Sequence, residues 1–82
     1  MNKSEILIEI SNILKDIFDD DNLEIGIETA SKDIPEWDSL AHIRIITSLC
    51  REFNIELSIE EMTDVNNVVC MVDLVYSKLS IK

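Results

Sequence analysis

Few side chains in this sequence are suited to catalysis, and their spacing keeps them apart. His42 is the only histidine, and Cys50 lies eight residues further along the same predicted helix. Eight residues span about two turns, or ~12 Å, which is too far for a nucleophile and its base. One histidine and two dispersed cysteines, Cys50 and Cys70, also lack the spacing of a zinc site. We therefore predict no catalytic residue and no metal site, with His42 at the surface or core boundary.

The acidic run DDDNLE, residues 19–24, suggests calcium ligands. An EF-hand loop needs oxygen ligands at positions 1, 3 and 5, glycine at position 6 and glutamate at position 12. A loop that starts at Asp19 has Leu23 at position 5 and Ala30 at position 12. Starting one residue later places Ile25 where glycine is needed. Both registers fail, so the run is better explained as the solvated acidic end of a helix.

A serine at the start of a predicted helix is the remaining candidate. Trp37-Asp38-Ser39-Leu40 joins a long loop to the second predicted helix, where free N–H groups favour an attached anion. A phosphodiester on the Ser39 hydroxyl would gain ~0.3–1 kcal/mol from that field. Asp38 opposes the anion, but its carboxylate could share a divalent metal ion during attachment. The simpler alternative is that Ser39 only caps the helix.

Apolar residues recur at three- and four-residue spacing, which predicts an all-α fold. The predicted helices run from Lys3 to Asp19, from Ser39 to Phe53, from Ser58 through Met62 in a short third helix, and from Asn66 or Asn67 through Leu79. The residues predicted to face the core are Ile6, Ile10, Ile13 and Ile17 with Leu7, Leu14 and Phe18; then Leu40, Ile43, Ile45, Ile46, Leu49 and Phe53; and finally Val68, Met71, Val72, Val75 and Leu79.

The helical period is lost between the first two helices, over residues 23–37. We predict a long loop without regular structure, held across the bundle by Leu23, Ile25 and Ile27. The predicted caps are Asn2 with Glu5 or Ser4 alone for the first helix, Asp38 or Ser39 for the second, Ser58 with Glu61 for the third, and Asn66 or Asn67 for the last.

Length and charge narrow the function classes. The chain has 82 residues and a formal net charge of −10, with 46% hydrophobic residues. We expect one domain, residues 1–82, rather than a disordered acidic tail. Negative charge repels phosphate backbones and anionic lipids, so we expect no nucleic acid, no membrane insertion and a protein partner with a basic patch. Without a signal peptide or a long apolar run, and with two free thiols, we expect a cytoplasmic monomer.

Together these features resemble an acyl carrier protein. The Asp38-Ser39-Leu40 triplet is similar to that family's modification motif, in which the serine carries 4′-phosphopantetheine, and it lies near mid-chain after a long loop. The segment EFNIEL, residues 52–57, resembles the family's approach to helix three, and Asn66-Asn67-Val68 lies where the family caps its last helix. The resemblance covers nearly the whole chain. It implies a small bundle of three main helices plus one short helix, with a long loop between helices 1 and 2.

The resemblance also implies a function without catalysis. A phosphopantetheinyl transferase would move the arm from coenzyme A to Ser39, an acyl- or aminoacyl-loading ligase would charge its thiol, and downstream transferases would collect the thioester. The tether would hold the cargo near a partner's active site at roughly millimolar effective concentration. Apolar acyl chains would be able to enter between the helices. Two alternatives stay open: a non-catalytic acidic helical adaptor that binds a basic partner, with Ser39 only a helix cap, and a calcium-responsive helical protein, which the ligand spacing disfavours.

The charge pattern departs from that of fatty-acid carriers, whose acidic second helix docks on basic enzyme patches. Residues 16–38 hold nine acids and one lysine, and residues 54–64 hold four acids, whereas residues 39–53 carry two arginines and one glutamate. Changed charge implies changed partners. The pair Trp37-Asp38 stands where fatty-acid carriers commonly have Gly-Asp. In this respect the chain is more similar to carriers of polyketide, surface-polysaccharide or aminoacyl pathways. The predicted partner face is Leu40, Ile43, Arg44, Thr47 and Arg51.

Overall fold

The computed structural model describes residues 2–20 and 22–81. Three residues of the predicted domain lie outside the described residues: Met1, Asp21 and Lys82. Asp21 is also part of the acidic run discussed above. Within the described part the chain is helical. Its elements are α1 (Lys3–Ile17), a 3₁₀ turn (Ser31–Asp33), α2 (Ser39–Phe53), α3 (Ile59–Asp64) and α4 (Val68–Ile81). Three long helices and one short one confirm the predicted all-α class. None of the described helices is both long and apolar enough to cross a membrane.

Side-chain caps set the starts of α1, α3 and α4. Asn2 begins α1 and Ser58 begins α3, each in a capping box with a glutamate three residues later. The Asn67 side-chain oxygen accepts a hydrogen bond of 2.8 Å from the backbone N–H of Cys70. Asn67, rather than Asn66, therefore caps α4.

Left-handed backbone residues follow two of the helices. Asp19 has a φ of 51° and Asn54 a φ of 53°, a conformation that aspartate and asparagine tolerate better than most residues. The helix α1 accordingly ends at Ile17, two residues before its predicted end. The predictions for α3 and α4 were short by two residues each, since these helices run on to Asp64 and Ile81.

One cluster of apolar side chains joins α1, α2 and α4. The helix α1 packs against both α2 and α4, so it occupies the middle of the bundle. The inward stripes predicted for α1 and α4 are correct, although five of their members are only half-buried at the edge of the core: Leu7, Ile13, Ile17, Phe18 and Leu79. The largest fully buried side chains are Ile6, Ile10, Leu14, Ile45, Leu49, Val68, Met71, Val72 and Val75.

The stripe predicted for α2 is wrong at two positions. Leu40 is 68% exposed and Ile43 is 61% exposed, whereas Ala41 and Ile45 are buried. Spacing alone cannot separate the two possible stripes, because both share the three apolar residues in the second half of the helix. The helix is oriented with the small Ala41 facing the core, so Leu40 and Ile43 face outward.

The loop between α1 and α2 is packed along the bundle and is more regular than predicted. Leu23 and Ile25 are half-buried against the core, as expected, and Ile34 is buried. Ile27 is 42% exposed, so its predicted anchoring role is wrong. The 3₁₀ turn forms within a segment that we expected to lack regular structure.

Two backbone hydrogen bonds tie this loop to the start of α4. Val68 donates to the carbonyl oxygen of Thr29 at 2.8 Å, and Ser31 donates to that of Asn66 at 3.0 Å. They form an isolated antiparallel bridge between Ala30 and residue 67. Because the loop is fixed at this point, its last residues approach α2 from a defined direction.

Candidate functional site

Ser39 is the first residue of α2, and it is exposed. The preceding residue, Asp38, has an extended backbone, and its Oδ1 accepts a hydrogen bond of 2.9 Å from the backbone N–H of Ala41. Asp38 therefore caps α2, which decides between the two predicted caps. The Ser39 hydroxyl stays at the surface beside the N-terminal end of the helix.

A histidine connects the elements around Ser39. The indole Nε1 of Trp37 donates to Nδ1 of His42 at 3.2 Å, and Nε2 of His42 lies 2.7 Å from the carbonyl oxygen of Met62. Because Nδ1 accepts, Nε2 carries the proton and donates to Met62. The two rings are stacked, with an interplanar angle of 25°. His42 thus links the end of the loop, the first turn of α2 and the short helix α3.

This bridging role of His42 was not predicted. The sequence shows only one tryptophan and one histidine, five residues apart. A buried indole needs an acceptor for its single N–H. That requirement is the one feature of the sequence from which the contact between Trp37 and His42 could have been predicted. Trp37 is 8% exposed, so the requirement applies here.

A shallow groove of about 420 Å³ runs beside Ser39. It lies where the loop, the start of α2 and the region after α3 meet. Most of its lining residues are of polar type. The lining residues are Ser31, Trp37, Asp38, Ser39, His42, Thr63 and Asn66.

The five residues predicted as a partner face all lie on the exposed side of α2. At 100° per residue they fall within an arc of about 100°, opposite the buried side of the helix. Thr47 directs its hydroxyl to the carbonyl oxygen of Ile43 at 2.8 Å. Within the described residues, the ion pairs are Lys3–Asp73 and Lys78–Glu61, so no carboxylate of this part of the chain forms an ion pair with Arg44 or Arg51.

The cysteines do not combine with His42. Both ring nitrogens of His42 are directed to Trp37 and Met62, and Cys50 is half-buried. Burial raises the pKa of the Cys50 thiol, which keeps the sulfur protonated and weakly nucleophilic at neutral pH. Among the described residues, no three metal-ligating side chains lie close enough together to hold a metal ion.

Comparison with solved structures identifies the family. The chain matches the solution NMR structure of a holo acyl carrier protein from Geobacter metallireducens with a TM-score of 0.83. The two sequences are 36% identical, and the match covers 92% of this chain and 86% of that chain. This chain belongs to the acyl carrier protein family. The predicted resemblance is confirmed, and with it the prediction that the protein is a carrier rather than an enzyme.

A second carrier shares the fold. The crystal structure of the acyl carrier protein from Thermotoga maritima matches with a TM-score of 0.84 at 21% identity, over 99% of this chain and 94% of that chain. A scan against protein-family models and a search of curated proteins return no match. The assignment to acyl carrier proteins therefore depends on three-dimensional likeness together with the identity to the Geobacter protein.

The surroundings of Ser39 fit the covalent prosthetic group that the family implies. Ser39 is exposed, and it stands at the N-terminal end of a 15-residue helix whose dipole favours a phosphodiester. The cap is supplied by Asp38, so a substituent on Ser39 would not disturb the start of α2. The groove beside Ser39 leaves room for an attached chain to lie along the surface.

Proposed function

We propose that this acyl carrier protein bears a 4′-phosphopantetheine arm on Ser39 and presents acyl or aminoacyl groups to partner enzymes. The observation that carries the proposal is the exposed hydroxyl at the first residue of α2, next to a residue that already caps the helix. Its sequence context, Asp38-Ser39-Leu40, resembles the family's modification motif. The alternative of an acidic adaptor, in which Ser39 serves only as the cap, is disfavoured because Asp38 supplies the cap.

Each residue at this site has a physical role. The N-terminal end of α2 stabilises the negative charge of a phosphodiester on Ser39. Asp38 holds the first turn of α2 through Ala41, and its second carboxylate oxygen is a candidate ligand for the divalent metal of the transferase reaction. His42 keeps the loop and α3 in place around the serine. When attached, the arm supplies a thiol that carries the cargo as a thioester.

The proposed partners are enzymes. A phosphopantetheinyl transferase attaches the arm, an acyl- or aminoacyl-loading ligase charges it, and downstream transferases collect the cargo. All of them must approach Ser39, so we assign their docking to the exposed face formed by Leu40, Ile43, Arg44, Thr47 and Arg51. We further propose that residues 1–82 act as a single domain, as a monomer, in the cytoplasm.

Intact-mass measurement tests the attachment site. The purified protein is incubated with coenzyme A, magnesium and a phosphopantetheinyl transferase of broad specificity, and its mass should rise by about 340 Da. Ser39→Ala should abolish the increase while its circular dichroism stays unchanged. Ser77→Ala, at an exposed serine of α4, should be modified like the wild type. A wild-type chain that gains no mass, or an increase that persists in Ser39→Ala, would contradict the proposal.

A further inference from the structure

We propose that α2 docks on an enzyme surface that is acidic at its centre, with one carboxylate opposite Arg44, a second opposite Arg51 and an apolar recess for Leu40 and Ile43. This inference rests on the proposed function and specifies the chemistry of the partner. It makes the central charges of this interface the reverse of those described above for fatty-acid carriers.

The first step concerns unpaired charge. The chain has 17 acidic residues, yet within the described part no carboxylate lies within 4 Å of Arg44 or Arg51. By contrast, Lys3 is paired with Asp73, and Lys78 with Glu61. Both arginines are exposed, so their guanidinium groups are available to carboxylates of another molecule. Guanidinium binds carboxylate in a bidentate geometry that a lysine cannot reproduce.

The second step concerns geometry. Arg44 and Arg51 are seven residues apart, which places them on the same side of α2 with about 10.5 Å between their Cα atoms. The Debye length at physiological ionic strength is about 8 Å. Each guanidinium therefore acts mainly on a counter-charge of its own, and two separate carboxylates form the best complement. Thr47 lies between the arginines with its hydroxyl turned to the helix backbone, which leaves a weakly polar strip.

The third step concerns the apolar residues nearest the serine. Leu40 and Ile43 occupy the same exposed arc of α2 as the arginines, and each exposes more than half of its surface. Exposed apolar side chains beside a functional site indicate a surface that is covered in a complex. The position of Leu40 directly after Ser39 means that an enzyme reaching the serine also covers Leu40.

The acids around this face define the rim of the partner surface. Asp16 shares a groove with Ile43, Arg44 and Arg51, and Glu36 and Asp38 share another with Arg44. The acid-rich segments 16–38 and 54–64 lie on either side of α2 in the sequence. A uniformly acidic enzyme would be repelled by these segments. The complementary surface therefore has carboxylates at its centre and basic groups at its edge.

Charge exchange on both molecules tests the inference. The probe is a phosphopantetheinyl transferase with a basic carrier-docking surface, used as the wild type and as a variant in which two basic docking residues are replaced by glutamate. Each enzyme is assayed with the wild-type carrier and with Arg44→Glu/Arg51→Glu. We expect kcat/KM for the basic transferase to rise about tenfold with the reversed carrier, and the preference to invert with the acidic transferase.

Controls separate this result from other effects. Lys3→Glu/Lys15→Glu, with both positions on α1, changes the net charge by the same amount and should alter kcat/KM less than twofold. Arg44→Gln/Arg51→Gln should give intermediate rates, and thermal melts verify that each variant is folded. Carrier and enzyme substitutions that act independently, or an opposite preference, would overturn the inference. Failure of the proposed function is recognised separately, because no carrier variant would then gain mass at Ser39.

Discussion

The indole nitrogen of Trp37 donates a hydrogen bond of 3.2 Å to Nδ1 of His42, and the opposite ring nitrogen of His42 lies 2.7 Å from the carbonyl oxygen of Met62. One imidazole therefore satisfies a buried donor of the loop and a carbonyl of α3 at once. Since Ser39 lies between Trp37 and His42 in the chain, this pair holds both sides of the serine.

Replacement of His42 should destabilise the protein. His42→Phe preserves a ring but leaves the indole N–H and the Met62 carbonyl without their partner, so we expect the free energy of unfolding to fall by about 1–3 kcal/mol. Urea denaturation measures the change. Trp37→Phe and the double variant complete a cycle, in which the coupling free energy should be about 0.5 kcal/mol or more. Strictly additive effects would show that the hydrogen bond adds no stability.

The two faces of α2 should respond differently to truncation. Ile45→Ala and Leu49→Ala remove fully buried side chains and should each lower the free energy of unfolding by about 2–5 kcal/mol. Leu40→Ala and Ile43→Ala are matched controls on the same helix and should change it by about 0.5 kcal/mol or less. Chemical denaturation of the four variants makes the comparison. Similar losses on both faces would contradict the orientation of α2.

The sequence predicted the helices better than their rotation. In α1 one apolar stripe is dominant, and the structure buries it; in α4 the predicted stripe is also buried, although apolar residues such as Val69 lie outside it. In α2 two overlapping stripes compete, and the choice between Ala41 and Leu40 as the inward residue depends on packing against other helices. Periodicity contains no information about that packing, so Leu40 and Ile43 were assigned both to the core and to the partner face.

Contacts between distant segments could not be predicted either. His42 and Met62 are 20 residues apart, and the bridge between Ala30 and Asn67 joins the loop to α4. Local rules for caps were more informative, because a cap involves residues only three positions apart. They were still ambiguous at Asp38 and Ser39, since adjacent aspartate and serine are both good caps and only side-chain geometry separates them.

Two substitutions at Asp38 should separate its structural role from its proposed metal-binding role. Asp38→Ala removes the acceptor for the Ala41 N–H and should cost about 0.5–2 kcal/mol of stability. Asp38→Asn keeps a capping oxygen and should remain within about 0.5 kcal/mol of the wild type. If the carboxylate shares a divalent metal ion during attachment, both variants should be modified about tenfold more slowly or worse. An Asp38→Asn protein modified at the wild-type rate would leave only the capping role.

The link between α3 and α4 should depend on pH. The carboxylate of Glu61 accepts hydrogen bonds from the backbone N–H of Ser58 at 2.9 Å and from Nζ of Lys78 at 3.1 Å. These contacts, with the Ser58 bond as the largest cause, hold the pKa of Glu61 below its ordinary value. The folded state therefore binds this proton less readily than the unfolded state. The resulting stabilisation is complete above the ordinary pKa and is lost as the pH falls through the lowered one.

Glu61→Gln removes this titration and provides the test. We expect the melting temperature of the wild type to exceed that of Glu61→Gln at neutral pH, because the charged contact with Lys78 is then intact. On acidification the wild-type carboxylate becomes protonated and the difference should shrink. Glu60→Gln, an exposed neighbour on α3, controls for the loss of one negative charge. Thermal melts from neutral to acidic pH follow both differences, and a gap for Glu61→Gln that is constant or widens towards acid would contradict the assignment of this contact as stabilising.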